Sequence, residues 1–580
     1  MFSRRGTSLI EFVLSLAIIA ILFTGVYAVY ASIVSSIQSV GARNAASTII
    51  GNEIEMMRNL PYANVGTQGG IPAGAIPGTQ TVSYGNYTFS LQTTIRNIDD
   101  PFDGTLGGTP NDTAPADYKL VSLTATCVSC SGNIAPIDIT ATIAPKNLES
   151  NTQQGSLFIF ALDANGQPVS GATVNVANAS ITPSINLTDT TNASGVLQLV
   201  GVPTSTQGYQ VIVTKPGYST DQTYPPGAPS NPNPTEPNLT VANQTVTNAT
   251  FRIDRTSQVT VLTSDNRCAP VPNESFSMQG TKLIGTNLLK FSVTTTTDTG
   301  GSHIFPNIEW DTYTFVINDA TRDVAGTIPF SPLIINPSST VAFRFILQPA
   351  ADPSLLANVV DGTSGAGISG ATVKISQGAF SATAVTGHAT FGQSDWSGGQ
   401  YASESGGIAA GAPGKLTLAA NASGTYTIGT NDWLISNTFD VGGTSSTFNT
   451  LSWTPVSEPS FTSISFQVAG NTDDATWNFI GPDGTPSTYF TANGAALPAS
   501  LAGDRYFRYK VFLNTQDPNA TPELDSVTVD FTADCVPPAQ AFFTGLAQGT
   551  YLIDVVAPGY AETTSTVSVG PGEATSSVAL

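Results

Sequence analysis

The chain has 580 residues, too many for a single hydrophobic core, and a prior of about one domain per 150 residues predicts roughly three to five domains. It contains 54 Gly and 38 Pro with only 11% charged residues, a composition that favours turns and short β-strands over helices. The net charge is −21, from 20 basic and 41 acidic residues, and no basic cluster follows the first five residues, which argues against nucleic-acid binding. The chain has only two histidines, His303 and His388, and both stand in turn-like sequence. These are too few to favour a zinc site or a histidine-based catalytic centre, and we expect no enzyme.

The first segment is a long run without charge. Residues 12–42 contain no Asp, Glu, Lys or Arg, and a helix of that length spans about 45 Å, against about 30 Å for the hydrocarbon core of a bilayer. Arg4 and Arg5 precede the run, so the positive-inside rule predicts a single pass with the N-terminus in the cytoplasm and the later domains outside. A secretory signal peptide is disfavoured, because its apolar core would be about half as long and would end at a small-residue cleavage site. An uncleaved membrane anchor is the alternative interpretation.

The start of this run carries a family resemblance. The stretch "RRGTSLIEFVLSLAIIAIL" resembles the class III leader of type IV prepilins and pseudopilins, with a basic leader over residues 1–6 that ends in Gly6 and a Glu at the fifth mature position, Glu11. The resemblance implies cleavage between Gly6 and Thr7 by a prepilin peptidase and methylation of the new N-terminus at Thr7, where the family more usually has Phe. It also implies that Glu11 acts in assembly, by facing the amine of Thr7 in a neighbouring subunit or in its own chain.

The helix is predicted to continue beyond the membrane. Apolar residues recur at steps of three and four with charged residues between them, an amphipathic pattern that Pro61 stops. These apolar residues are Ile37, Val40, Ile50, Ile54 and Met57. One helix over residues 7–60 therefore has a lipid-soluble first half and a second half that needs a packing partner. The alternating runs "YTFSLQTTI" from Tyr87 and "IDITATI" from Ile137 predict that partner, a pilin-like β domain over residues 61–150.

An acidic loop lies between those two strands. "NIDDPFDGTLGGTPNDTAPADYK" carries Asp99, Asp100 and Asp103, whose oxygens suit calcium. Asp and Gly are also the residues that turns use, and turn chemistry is the favoured interpretation, with a calcium site as the alternative and no other cofactor expected.

The four cysteines divide into a close pair and a distant pair. Cys127 and Cys130 in "CVSC" predict a local disulfide, because no thioredoxin-like pattern surrounds them and the domain is expected outside the cytoplasm. For Cys268 and Cys535, free thiols and a disulfide both remain open.

The rest of the chain contains an internal repeat. Each copy combines a strand, a turn, a "GATV"-like strand, a Gly turn and an apolar strand, then "G-x-Y" and an alternating strand, and Tyr209, Tyr313 and Tyr551 fall at equivalent places. Such units resemble carboxypeptidase-regulatory-like and Cna-B-like domains, the prealbumin-type β-sandwiches of bacterial surface proteins, and the resemblance implies no peptidase activity. We predict repeat 1 over residues 151–254, repeat 2 over 255–350, and repeat 3 over 351–396 and 535–580.

Repeat 3 is predicted to be interrupted by a domain over residues 397–534. Its strand pattern resembles a jelly-roll or galactose-binding-like domain, and this resemblance implies sugar binding on aromatic faces. In "RYFRYKVF", alternation places Tyr506, Arg508 and Lys510 on one face of a strand and Phe507, Tyr509 and Val511 on the other. One face is expected in the core, and the other is a solvated or a binding surface.

The predicted fold class is mainly β with one long N-terminal helix, in a pilin-like α+β domain followed by tandem sandwiches. The predicted function is a structural subunit, minor or at the tip, of a type IV pilus-like filament that displays sandwiches for surface adhesion. Its partners would be other pilin subunits, the prepilin peptidase, the inner membrane before assembly, and a carbohydrate or protein ligand at the cell surface. A type II secretion pseudopilin and a membrane-anchored adhesin outside any filament are the alternatives. A glycoside hydrolase is disfavoured, because most acidic residues stand in turns rather than as paired carboxylates.

Overall fold

The computed structural model describes residues 9–130, 134–145, 154–351, 353–412 and 415–580. These residues are mainly β with one long N-terminal helix, which confirms the predicted fold class. The chain divides into two compact units, one that runs to Arg255 and includes Leu283–Leu288, and one that comprises Thr256–Lys282 and Leu289–Leu580.

The first unit begins with helix α1, Leu9–Asn59, followed by a 3-10 turn at Tyr62–Asn64. The helix ends two residues before Pro61, as predicted, because proline disfavours the helical conformation of the residue before it. The next strands are β1 (Thr79–Tyr84), β2 (Tyr87–Ile98), β3 (Tyr118–Cys127) and β4 (Ile137–Ile143). They form one antiparallel sheet in the order β1-β2-β3-β4, and the second half of α1 shares a hydrophobic core with it.

The first sandwich follows in the same unit. Its strands are β5 (Gln154–Leu162), β6 (Thr173–Asn178), β7 (Ile185–Thr190), β8 (Val196–Pro203), β9 (Ser205–Thr214), β10 (Asp221–Gln222), β11 (Leu239–Val241) and β12 (Val246–Arg252). They form two sheets, β12-β5-β8 and β10-β9-β6-β7 with β11 beside β9. The sandwich contacts the sheet β1-β2-β3-β4 through an ion pair between Arg96 and Asp189. The buried Asn97 amide also donates to the Val200 carbonyl over 2.9 Å.

The second unit begins with the second sandwich. Its strands are β13 (Ser257–Ser264), β14 (Ser275–Gly280), β15 (Leu283–Gly285), β16 (Leu288–Leu289), β17 (Ser292–Thr296), β18 (Ser302–Ile308), β19 (Asp311–Ile317), β20 (Arg322–Ile328), β21 (Leu333–Ile335) and β22 (Thr340–Pro349). Its two main sheets are β18-β13-β22-β20 and β17-β14-β19-β21, and β15 and β16 form a separate hairpin whose residues 283–288 belong to the first unit.

The third sandwich is interrupted in sequence. It starts with β23 (Ser354–Val360), β24 (Thr372–Gln377) and β25 (Phe380–Val385). The inserted domain then contributes β26 (Ala389–Gln393), β27 (Tyr401–Glu404), β28 (Ile408–Ala412), β29 (Lys415–Leu418), β30 (Asp432–Ser436), β31 (Phe439–Asp440), β32 (Thr447–Thr454), β33 (Thr462–Asn471), β34 (Ala495–Ala496), β35 (Tyr506–Thr515) and β36 (Ser526–Thr532), with 3-10 turns at Ser397–Gly399 and Ala499–Leu501. The third sandwich resumes with β37 (Gln540–Phe543), β38 (Gly549–Val556), β39 (Thr563–Val569) and β40 (Glu573–Ala579).

The three sandwiches have the same strand pairing, which identifies them as structural repeats. The first strand of each lies between a parallel last strand and an antiparallel fourth strand: β5 between β12 and β8, β13 between β22 and β18, and β23 between β40 and β37. In the opposite sheet, the second strand lies between the third and the fifth. The tyrosines at equivalent places, Tyr209, Tyr313 and Tyr551, are all buried. Their hydroxyls donate to the nearby carbonyls of Pro203, Glu309 and Ala547, an arrangement similar to a tyrosine corner.

The insertion occupies the position of a short turn. In the first two sandwiches, residues 191–195 and 297–301 join the third strand to the fourth, and each turn begins with a buried threonine. Thr386 is the equivalent in the third sandwich: its hydroxyl donates to Ile368 O over 2.7 Å and accepts from Ala371 N over 3.0 Å. The insertion therefore begins directly after this turn residue.

The predicted start of the insertion at residue 397 is too late. The segment "ATFGQ", Ala389–Gln393, pairs with β36 of the inserted domain and with no strand of the third sandwich in the part of the chain that the structure describes. Its alternation is equally typical of a repeat strand, so the sequence pattern assigned it to the sandwich.

The inserted domain is an antiparallel β-sandwich with its own core. Its sheets are β26-β36-β32-β34 and β27-β30-β35-β31, with β33 also paired to β35. The fully buried Trp396 donates its indole N–H to the Tyr509 hydroxyl over 2.8 Å, and that hydroxyl donates to Gln393 Oε1 over 2.7 Å. This chain of hydrogen bonds satisfies polar groups deep in an apolar core.

The second and third sandwiches are linked within their unit by a disulfide and by a buried amide. Cys268 and Cys535 form a disulfide with Cα atoms 5.4 Å apart. The Gln540 side chain accepts from Thr327 N over 2.9 Å and donates to Thr327 O over 2.8 Å. Gln540 thus pairs with the backbone of β20 at the edge of its sheet, a position where unpaired backbone groups would otherwise remain.

Candidate functional site

The first half of α1 is apolar and uncovered in the part of the chain that the structure describes. Large apolar side chains are exposed on every side of the helix from Ile10 to Val40, with Phe23 72% and Tyr27 73% exposed. The helix from Phe12 to Asn59 is long and apolar enough to cross a membrane, judged by length and composition. Because so much apolar surface is unfavourable in water, this half requires lipid or other apolar helices around it.

The second half of α1 packs on the sheet through small residues. The packed face consists of Ala42, Ala45, Ala46, Ile49, Ile50 and Met57, all buried, with Ile54 partly buried beside them. The prediction that Ile37 and Val40 belong to this face is wrong, since they are 67% and 56% exposed. Alanines allow the helix to approach the sheet closely, but they are only weakly apolar, so the sequence pattern did not identify them.

At Gly41 the helix meets the end of the Tyr87 side chain, which stands on the sheet. A Cβ atom at this position would lie 2.8 Å from the Tyr87 hydroxyl oxygen, and that hydroxyl donates to Gln38 O of the helix over 3.3 Å. A Cβ at this position would force the Tyr87 hydroxyl to shift and would disturb this hydrogen bond. Tyr87 therefore fixes the point at which the helix leaves the globular domain.

A buried lysine holds the turn that follows the helix. Lys119 on β3 is 5% exposed, and its ammonium donates to Tyr62 O over 2.7 Å and to Val65 O over 2.6 Å. Burial lowers the pKa of Lys119 to about 8. The ammonium satisfies two carbonyls of the turn, so the chain after α1 is tied to the centre of the sheet.

The residues predicted for processing fall at or beyond the edge of the described structure. Gly6 and Thr7 lie outside the described residues. Glu11 belongs to α1 by its backbone. Cleavage, methylation and the assembly role of Glu11 therefore stay predictions.

In the acidic loop, the carboxylates serve as turn acceptors. Asp99 accepts from Leu106 N over 2.9 Å, and Asp100 accepts from Phe102 N over 3.1 Å. Burial raises the pKa of Asp99, and the nearby charges of Asp112, Asp117 and Asp103 raise it further. Among the described residues, no group of three or more His, Cys, Asp or Glu side chains is arranged to hold a metal ion. The calcium site predicted at Asp99, Asp100 and Asp103 stays a prediction.

Cys127 and Cys130, at the end of β3, form a disulfide with Cα atoms 5.9 Å apart. The distant pair, Cys268 and Cys535, is also joined, although the two cysteines are 267 residues apart. Spacing along the chain gave no signal for the second pairing, because the insertion separates residues that the fold brings together.

His388 is not the solvated turn residue that its sequence context indicates. Its Nδ1 lies 2.8 Å from Asp530 Oδ1, the Asn449 amide lies 3.2 Å from the same nitrogen, and the imidazole is partly buried. The Asn449 amide also donates to Asp530 over 2.7 Å. The three side chains connect β26, β32 and β36 across one sheet, so His388 ties the first strand of the inserted domain to its neighbours.

The outer face of β35 is a second candidate site. As predicted, its side chains alternate: Phe507, Tyr509 and Val511 are 0 to 1% exposed, whereas Tyr506, Arg508 and Lys510 are partly exposed. The Arg508 guanidinium lies 4.3 Å from the centre of the Trp477 ring, and the Lys510 ammonium lies 4.2 Å from that of Trp433. The core face and the outer face of this strand thus differ in chemistry, and only the outer face is available to a ligand.

Comparisons with known proteins assign the chain to no family. No family model matches the chain, and no curated protein matches it. Among solved structures, the Bacillus anthracis TIE protein is similar over 87% of this chain and 72% of its own, with 11% identity and a TM-score of 0.16. The streptococcal ancillary pilin is similar over 39% of this chain and 75% of its own, with 10% identity and a TM-score of 0.17. GBS52, the minor pilin of Streptococcus agalactiae, is similar over 34% of this chain and 96% of its own, with 12% identity and a TM-score of 0.18. Values this low carry no argument about function, so the proposals below rest on the residues of this chain.

Proposed function

We propose that the protein is a non-catalytic, pilin-like subunit of a type IV pilus-like filament, minor or at the tip, which displays its β-sandwiches for adhesion at the cell surface. The observation that carries the proposal is the division of α1 into two halves. The first half exposes apolar side chains all round, and the second half packs on a four-stranded sheet. A helix of 51 residues reaches about 75 Å, far more than a membrane needs. Such a helix suits a subunit that is held in the inner membrane by its first half and that later packs against the helices of other subunits.

The resemblance of the leader supplies the chemistry of processing. A prepilin peptidase would remove residues 1–6, and Thr7 would become the methylated N-terminus. In a filament, the Glu11 carboxylate would pair with the Thr7 amine of a neighbouring subunit. A buried charge of either sign is costly when unpaired, and pairing offsets that cost, so the pair would favour subunits docked in register. The bulk of the sandwiches and the inserted domain supports a minor or tip position, because a shaft of such subunits would be crowded.

The experiment compares filament incorporation of Glu11→Ala with that of Thr24→Ala. Thr24 lies in the same apolar half of the helix, and its hydroxyl bonds only to Ile21 O of its own helix among the contacts described, so its replacement should leave assembly unchanged. We expect Glu11→Ala to insert into the membrane normally and to be depleted from sheared filaments, as measured by quantitative immunoblotting. Equal incorporation of the two variants would contradict the assembly role of Glu11 and would favour the interpretation of the segment as a membrane anchor alone.

A further inference from the structure

The outer face of the inserted domain around β35 combines two cations with two indole rings. We call the set Trp433, Trp477, Arg508 and Lys510 the basic aromatic face. Arg508 and Lys510 stand on alternate positions of β35, which places them about 7 Å apart on the same side of the sheet. Each stacks over one of the tryptophans, and the Lys510 ammonium also lies 4.9 Å from the centre of the Phe512 ring. All four members are partly exposed. The cation–ring contacts therefore hold the four side chains together while the face stays open to solvent.

Among the described residues, the charges of this face are compensated at most indirectly. In the described part of the structure, neither Arg508 nor Lys510 forms an ion pair with a carboxylate. The neighbouring Arg505, in contrast, binds Asp440 through two N–H groups at 2.9 Å. Arg508 donates to the hydroxyl of Thr438, and that hydroxyl donates to Asp474 Oδ1 over 2.7 Å, so the carboxylate reaches the guanidinium only through the intervening hydroxyl. Burial lowers the pKa of Lys510, which means that its ammonium is partly dehydrated without an anion to compensate. An anionic ligand would supply that compensation.

The indole rings indicate what kind of anion fits. The face of an aromatic ring carries negative potential, and it attracts the weakly positive C–H groups that cover one side of a sugar ring. A folded acidic peptide segment would satisfy the cations but would make little use of two separated flat rings. An acidic polysaccharide satisfies both, because each sugar unit offers a C–H face and a carboxylate.

We propose that the basic aromatic face binds an acidic polysaccharide rich in uronic acids, with carboxylates on Arg508 and Lys510 and sugar rings on the parts of Trp433 and Trp477 that these cations leave exposed. The inference deepens the proposed function, since it names the ligand class of the adhesive domain and rests on that function for its biological setting. The binding itself does not require a filament. The repulsion expected from a net charge of −21 is screened beyond about 8 Å at 0.15 M salt, so contacts at the face decide the affinity.

The test uses the full-length protein in detergent and measures its binding to polygalacturonate, with dextran as the neutral comparison, at 0.15 M salt. We expect the wild type to bind polygalacturonate and not dextran. The double variant Arg508→Gln and Lys510→Gln should weaken binding about tenfold or more, because charge-assisted hydrogen bonds are lost. The matched control, Arg252→Gln with Lys374→Gln, removes two exposed cations elsewhere and should stay within about twofold of the wild type.

A footprint on the wild type makes the test independent of the folding of variants. Acetylation of Lys510, quantified by mass spectrometry, should be slowed by polygalacturonate and not by dextran, whereas acetylation of Lys374 should be unaffected by either. Equal protection of both lysines, equal loss of binding in both double variants, or equal binding of polyglutamate would each overturn the proposal. Because these measurements use unassembled protein, they can fail while the chain still enters filaments, and they can succeed when it does not.

Discussion

Replacing Gly41 with Ala tests the contact between α1 and the sheet. An added Cβ would lie 2.8 Å from the Tyr87 hydroxyl oxygen, closer than side chains normally pack, while its 3.6 Å distance from Tyr87 Cζ would be an ordinary contact. The same helix offers a matched control at Gly51, where an added Cβ would have nothing within 4 Å. The two substitutions are chemically identical and differ only in what the new methyl group meets.

The expected magnitudes follow from this difference. Gly→Ala inside a helix stabilises by about 0.5–1 kcal/mol, and Gly51→Ala should show that gain. Gly41→Ala should gain the same amount but lose about 1–3 kcal/mol through over-packing against Tyr87. The free energy of local unfolding should therefore be about 1–3 kcal/mol lower for Gly41→Ala than for Gly51→Ala.

Hydrogen exchange of the amides in Tyr87–Ile98 and in the second half of α1 measures this local free energy without requiring the whole chain to unfold together. Adding Tyr87→Phe to Gly41→Ala removes the clashing oxygen and should recover much of the loss. If Gly41→Ala protects these amides as well as Gly51→Ala does, the described approach of helix and sheet is incorrect.

Three further predictions concern buried or partly buried polar groups. The pKa of Lys119 is lowered to about 8, so between pH 8 and its ordinary value of 10.5 the unfolded chain holds a proton that the folded chain has released, and stability rises with pH. Urea unfolding at pH 7.5 and pH 10 should show the free energy of unfolding of the wild type rising relative to that of Lys119→Met. A difference that stays constant between the two pH values would contradict this prediction. Because burial and neighbouring carboxylates raise the pKa of Asp99, ionisation of this carboxyl group lowers the stability of the folded protein as pH rises. The free energy of unfolding of Asp99→Asn should therefore exceed that of the wild type at pH 7, and the difference should shrink toward pH 4. A difference that does not depend on pH would exclude this cause. Tyr509→Phe should lower the free energy of unfolding by about 1–3 kcal/mol, because it leaves the buried Trp396 indole N–H unsatisfied and removes the donor to the partly buried Gln393. Tyr506→Phe on the outer face should cost less than about 0.5 kcal/mol. Thermal unfolding measures both effects, and equal effects would refute the assigned faces.

Two features could be predicted from the sequence because they repeat along it. These are the alternation of side chains along a strand and the succession of similar units of about 100 residues. The alternation in Tyr506–Val511 predicts two faces of β35 with one in the core, and the structure shows that the core face carries Phe507, Tyr509 and Val511. The recurring order of strands and turns indicates three sandwiches and an interruption in the third. The start of the insertion was misplaced, since Ala389–Gln393 has the alternation of any strand and only its pairing partner distinguishes the two domains. Local periodicity thus predicts elements well and assigns them to domains less reliably.

Features that depend on tertiary contact had no signal in the sequence. The link between Cys268 and Cys535 requires two sandwiches to lie side by side. The packed face of α1 is rich in alanine, so its apolar contrast is weaker than that of the exposed Ile37 and Val40. The stacking of Arg508 on Trp477 joins a strand to a loop that is distant in sequence. The candidate binding face was therefore visible from sequence only as a choice between solvated and binding surface.

The mature N-terminus is the most direct test of the proposed pilin-like subunit. The full-length chain should be expressed in a host that carries a prepilin peptidase and isolated from the membrane and from sheared filaments, and its N-terminal peptide should be identified by mass spectrometry. We expect a peptide that begins at Thr7 with one added methyl group, and an unprocessed chain when Gly6 is replaced. A mature protein that begins at Met1, or at a site well beyond Thr7, would contradict it.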